Sequence, residues 1–194
     1  MTTRDAQAPA DAQFIGRWSP RAFNGEALSH AQVMTLIEAA RWAPSCFNSQ
    51  PWRFVYATKD SEHWPAMLSL LMDMNQAWAQ HAGALIAVVS RNTFQGNDAP
   101  APTHSFDTGA AWMSMALQAQ SMGLASHAMW GIEHNDIPTA LNLPDNMQIQ
   151  AMVAVGAVGN KADLPEPLQE REQPSSRKAL SELAFAGRMP DGVE

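Results

Sequence analysis

The run "ALIAVVS", Ala84 to Ser90, carries no charge and no helix breaker, and it limits the fold more than any other segment. It is far shorter than the roughly 18 to 20 residues of a membrane span. Its β-branched character predicts a strand buried on both faces. Such a strand needs cover on both sides, which the rest of the chain must supply.

The flanking segments read as helices and further strands. Ser29-x-x-Gln32 has the capping-box spacing, and Val33, Leu36, Ile37 and Ala40 recur at helical intervals until Pro44 forbids continuation. This predicts a helix from about Ser29 to Trp42. "RFVYAT", Arg53 to Thr58, reads as a strand. Between Trp64 and Gln80, Pro65 suits a first turn, and Met67, Leu68, Leu71 and Met72 mark an apolar face, with a break expected near Asp73 to Asn75. Residues 92–105 form an exposed excursion for which a lid is one reading. Phe106 to Met122 predicts a long, largely buried helix, with Asp107 in its first turn and Gly123 at its C′ position. Strands over Leu124–Trp130 and Gln150–Val158 and a short helix over Ile137–Leu143 follow. The tail from Ala162 to Pro174 holds three prolines and several charges and little that packs alone. Residues 1–13 are expected to be a flexible arm, and 14–194 a single domain.

The totals narrow the function classes. With 12 basic and 19 acidic residues the formal charge is -7, which repels nucleic acid and anionic membranes. An anionic ligand therefore needs a local basic pocket. The first residues lack the basic start and apolar core of a secretory signal, and one cysteine forms no internal disulfide, so a cytoplasmic setting is expected. The six histidines show no metal-ligand spacing, and no metal is expected. "VGAVGN" is followed by "KADLPEP" rather than by a helix, so the dinucleotide-binding fingerprint fails.

Two features carry chemistry. "WAPSCFNSQPW", Trp42 to Trp52, is a poor helix and a poor strand, because its prolines remove donors and restrict their neighbours. It reads as a shaped loop anchored by its tryptophans, with Ser45 and Asn48 offering hydrogen bonds. Cys46 reads as a small packing residue or, less simply, as a nucleophile. "RWSPRAF" and "SSRKALSEL" together contribute Arg17, Arg21, Arg177 and Lys178, four of the 12 basic residues. Guanidinium forks with a serine between them suit a phosphate; ordinary surface charge is the alternative.

"RWSPRAF", "EAARWAPSCFNSQPWRFV", "NQAWAQHAGALIAV", "FDTGAAWMSMALQAQSMGLASHAMWGI" and "SSRKALSEL" together resemble the FMN-dependent nitroreductase family, from about Phe14 to Phe185. The resemblance implies an α+β fold: a central, mostly antiparallel sheet flanked by helices, in an interlocked homodimer with a swapped C-terminal segment. It implies FMN as cofactor and NADH or NADPH as donor. Arg17, Ser19 and Arg21 would hold the FMN phosphate and the pyrimidine edge, and Arg177 with Lys178 would complete the clamp. Pro44, Ser45, Cys46 and Asn48 would line the flavin and ribityl chain, the first three from the partner subunit. Asn75 and Gly131 would lie near the flavin ring. Trp18 and Trp130 would also border the cofactor; Trp18, Pro20 and the bulky Cys46–Phe47 pair depart from the family pattern there and, like Trp130, could narrow the substrate pocket or alter the flavin potential, and Phe47 would shape that pocket. Arg4, in the arm, is expected to matter less for FMN than Arg21.

The implied activity is ping-pong hydride transfer from NAD(P)H through flavin N5 to a nitroaromatic, a quinone or a related small acceptor, with no obligatory catalytic acid or base. Two alternatives stay open: a reductase of a small aldehyde or enone, or a flavin-consuming enzyme, in the same fold, and a non-catalytic flavin-binding or interaction protein.

Overall fold

Trp52–Thr58 (β1), Ala84–Arg91 (β2), Ala125–Met129 (β3) and Met147–Gly156 (β4) form one antiparallel sheet, in the order β1-β2-β4-β3. The computed structural model describes residues 4–192. β2 is paired along both edges, and every residue from Ala84 to Ser90 is buried. Strand alternation divides its side chains between two cores. Leu85, Ala87 and Val89 join Phe23, Trp64, Trp78 and Met152 on one face. Ala84, Ile86 and Val88 join Val33, Leu36 and Met115 on the other.

The helices are Ala12–Gly16 (α1), His30–Arg41 (α2), Trp64–Ser69 (α3), Asp73–Ala79 (α4), His104–Ser121 (α5), Ile137–Ala140 (α6) and Glu166–Gln169 (α7). In α2 the Ser29–Gln32 capping box forms as expected, and Val33, Leu36 and Ala40 face the core. Gly123 follows α5 at φ 73°, the left-handed conformation that suits glycine at a helix end. α5 buries one side, through Asp107, Thr108, Ala111, Met115, Ala116 and Ala119, while Phe106 is exposed, so the helix is half rather than largely buried.

Several boundaries move for identifiable reasons. The break between α3 and α4 falls at residues 70–72, because Leu71 pairs with Ile132 and the Met72 N–H donates to the Gly131 carbonyl. β4 starts at Met147, and its register against β2 skips Gln150, whose side chain donates to Ser90 Oγ. Such a bulge lets a longer strand keep its inward pattern. The tail is not without packing, since Leu164 and Glu172 are buried. The arm is also more anchored than its composition implies: Arg4 donates to three backbone carbonyls, and Gln7 Oε1 accepts from the Leu180 N–H. Among the described residues no helix is long and apolar enough to cross a membrane.

Candidate functional site

The chain leaves α1 into Arg17–Arg21 and is pinned directly afterwards. Ala22 and Phe23 are buried, Phe23 bridges Val158, and the Ala22 carbonyl accepts from the Gly159 N–H. Gly159 has to be glycine at this crossing, since a Cβ would lie 2.5 Å from the Phe23 carbonyl. From the tail, the buried Glu172 carboxylate accepts from the Arg21 N–H at 2.7 Å and the Ala22 N–H at 2.9 Å.

This crossing shapes a cavity of about 380 Å³ lined by Arg4, Arg17, Arg21, Arg171 and Arg177, with Trp18, Ser19, His127, Gln173 and Ser175 between them. Among the described residues no carboxylate lines it, and none of the five arginines forms an ion pair. Arg17 donates to Ser19 Oγ at 3.2 Å, which fixes both side chains on one wall. The Arg4 and Arg17 guanidinium groups are lowered from their ordinary pKa first by desolvation and then by repulsion from Arg177. They still carry charge, so the cavity concentrates like charges in a protein of net charge -7. Its chemistry suits a multiply charged oxyanion.

His127 looks into the same cavity from β3. Its Nδ1 lies 3.0 Å from the Pro20 carbonyl, which fixes Nδ1 as the donor in the neutral ring, and the ring packs 4.8 Å from Trp78. Desolvation lowers its pKa, Arg21 lowers it further, and the Pro20 carbonyl, Glu172 and Ser19 oppose the shift.

The loop after α2 is held by a different acid. Asp107, buried in the first turn of α5, accepts from the Cys46 N–H and from Thr103 Oγ1, both at 3.1 Å. Phe47, Asn48 and Gln50 all have positive φ, at 51°, 54° and 46°. Non-glycine residues adopt this region at a cost, and three in four residues mark a loop whose shape is imposed by its anchors. Trp52 is one anchor, buried at the start of β1. Trp42 is not, since it is 74% exposed, with its indole N–H donated to Glu38 and Arg41 over its ring. Phe47, 90% exposed, meets Phe94 edge to face at 6.0 Å. The two phenylalanines edge a second cavity, of about 810 Å³, with Asn48, Gln50 and Arg53.

A third pairing joins α4 to the turn after β3. Asn75 Nδ2 donates to the Gly131 carbonyl at 2.9 Å, and a Cβ at Gly131 would lie 2.7 Å from that nitrogen. Trp130 is exposed and packs against the His134 ring at 4.3 Å.

The nitroreductase family description matches residues 15–73 and 65–157, more than half of the chain. The chain belongs to the nitroreductase family. A solved oxidoreductase containing FMN is 46% identical and superposes with a TM-score of 0.93, over 98% of this chain and 99% of that one. An uncharacterized 15.4 kDa protein of Mycolicibacterium smegmatis is 34% identical over 62% of this chain and 81% of its own. NADH dehydrogenase of Thermus thermophilus is 27% identical over 73% of this chain and 83% of its own.

Within this nitroreductase chain the expected site residues fall into separate groups. Arg17, Trp18, Ser19, Arg21 and Arg177 come together in the arginine cavity. Lys178 does not: it lines an adjoining pocket between the N-terminal arm and the tail. Asn75 and Gly131 meet each other, with Trp130 beside them. Phe47 and Asn48 line the cavity edged by Phe94, apart from the arginines, with Pro44, Ser45 and Cys46 just before them in the loop. Arg171, His127 and Glu172 escaped the sequence reading, and Arg4, set aside there as part of a loose arm, lines the cavity with Arg171 and His127. The signal available for Arg171 was "EREQPSSR", which places a second arginine six residues before Arg177.

Proposed function

We propose that this nitroreductase-family chain is an NAD(P)H-dependent FMN oxidoreductase that reduces a small electrophilic acceptor such as a nitroaromatic or a quinone. The observation that carries the reading is the cavity of about 380 Å³ ringed by five arginines and, among the described residues, by no carboxylate. A phosphate of about two negative charges fits this donor set, because it relieves the repulsion among Arg4, Arg17 and Arg177. The 46% identical oxidoreductase containing FMN and the relative named NADH dehydrogenase support the choice of cofactor and donor.

When bound, FMN supplies two-electron transfer between a nicotinamide donor and an acceptor that occupies the same place in turn. The chain supplies orientation. Arg17, Ser19, Arg21 and Arg177 hold the phosphate, and Trp18 walls it in, while Lys178 adds charge from the adjoining pocket. The Asn75 amide fixes the peptide at Gly131 in one orientation, and this backbone, with Trp130 beside it, would border the flavin ring. Phe47 and Phe94 edge the cavity that would take the acceptor and, once covered by a second copy, would help exclude water from it.

The reading includes a homodimer. Pro44, Ser45, Cys46 and Asn48 lie apart from the arginine cavity of their own chain, so a second copy would bring its loop to the cofactor. The exposed Trp42, Phe47, Phe106 and Trp130 side chains suit burial against that copy.

The decisive experiment is the absorbance spectrum of the purified protein, followed by rapid mixing with NADH and NADPH. A flavin spectrum that bleaches on the timescale of turnover is expected. Colourless protein that takes up no added FMN would overturn the reading, and bound flavin that neither donor bleaches would leave a binding protein instead.

A further inference from the structure

Arg4 stands where the beginning and the end of the chain meet. Its Nη1 donates to the Ile15 and Arg17 carbonyls, each at 2.7 Å, and its Nε donates to the Ser175 carbonyl at 3.0 Å. One planar group thus ties the arm to the segment carrying Arg17 and to the segment carrying Arg177. Both partner arginines line the same cavity as Arg4 itself.

The arrangement gathers charge that no acid among the described residues balances. Arg4 has been brought beside Arg177 and Arg17, and its hydrogen bonds go to neutral carbonyls rather than to an acid. Carbonyl bonds hold the guanidinium in place without neutralising it, so its full charge stays available to the cavity. A merely structural staple would be served by a neutral donor. The choice of arginine makes sense when an anion completes the group.

We infer that Arg4 is a positioning residue for the phosphate of the cofactor: it braces Arg17 and the Ser175–Arg177 segment into one clamp and adds a fifth positive charge to it. This rests on the FMN reading above. It also makes the N-terminal arm part of the cofactor site, and it predicts that arm docking and phosphate binding favour each other.

The test is equilibrium titration of the apoprotein with FMN and with riboflavin, which lacks the phosphate, for wild type, Arg4→Ala and Arg4→Lys. Arg4→Ala is expected to weaken FMN about tenfold while changing riboflavin less than twofold. Arg4→Lys keeps the charge but cannot reach three carbonyls with a planar fork, so it is expected to recover only part of the loss. If riboflavin binds too weakly to titrate, the salt dependence of the FMN Kd replaces it, with a shallower slope expected for Arg4→Ala. Unchanged FMN affinity in Arg4→Ala, an equal loss for both ligands, an unchanged salt slope or full recovery by Arg4→Lys would each overturn the inference. Wild-type protein that binds FMN no better than riboflavin would instead overturn the phosphate reading, which keeps the two failures apart.

Discussion

The Asn75 amide nitrogen lies 2.9 Å from the Gly131 carbonyl oxygen and within 2.7 Å of where a Cβ on Gly131 would stand. The contact joins α4 to the turn after β3, between residues 56 positions apart, and a side chain on Gly131 would meet the amide. Gly131→Ala must therefore displace the amide. It is expected to destabilise the protein by about 1–3 kcal/mol, the usual cost of overpacking. Thermal unfolding checks this, and FMN titration of the same variant checks whether the displaced amide also disturbs the cofactor.

Arg21→Ala removes a guanidinium from the arginine cavity while its backbone N–H can still bond Glu172. Charge-assisted hydrogen bonds contribute about 1.5–3 kcal/mol each. FMN affinity should fall about ten- to a hundredfold, and riboflavin affinity should barely move. Equal weakening of both ligands would place the effect elsewhere in the fold.

Glu172 carries two backbone donors on one oxygen, one of them at the buried Ala22. Glu172→Ala strands both, at about 1–3 kcal/mol for each buried group. Glu172→Gln keeps a carbonyl acceptor and should recover much of the stability. Chemical denaturation of the three proteins tests the order wild type, Gln, Ala.

Asp107→Ala should loosen the 44–50 loop, because it frees the Cys46 N–H and Thr103 Oγ1 together. Three residues held at positive φ then lose an anchor. Faster amide hydrogen exchange from Cys46 to Gln50, with β2 still protected, is the expected signature. Exchange unchanged in the loop would show that its shape does not depend on α5.

His127 ties stability to pH. Its pKa is lowered in the folded protein, chiefly by desolvation, so below the ordinary histidine value of about 6.5 the unfolded chain takes up a proton first. Its contribution is present above that value and is lost as the pH falls toward the folded pKa. His127→Gln should flatten the decline in stability over that interval, relative to wild type, in denaturation measured at a series of pH values.

The parts of the molecule visible in the sequence were those written in local patterns. The Ser29–Gln32 capping box, the apolar run of β2 and Gly123 each act within a few residues, and each stands where its pattern put it. The arginines around Ser19 were visible as clustered charge. The site roles of Arg4 and Glu172 were not, because their meaning lies in contacts across some 150 to 171 positions that no local window contains. Trp42 misled for a related reason: aromatic character signals burial, yet a cation and a carboxylate on its own helix hold it at the surface. The break before α4 was displaced by pairing with the segment after β3, again a distant partner.

The arginine cavity also sets an order in time. Its walls come from residues 4, 17 and 21 at one end of the chain and 171 to 177 at the other, with the whole sheet between them. While the protein is being made, the sheet can assemble as its strands emerge, but the last wall must wait for the ribosome to deliver Arg177. Until then Arg4 is fastened to the Ile15 and Arg17 carbonyls but not to the Ser175 segment, and the cavity has only part of its wall. On the FMN reading proposed above, cofactor capture is then confined to chains synthesised through their tail, and a truncated product would betray itself by failing to retain it.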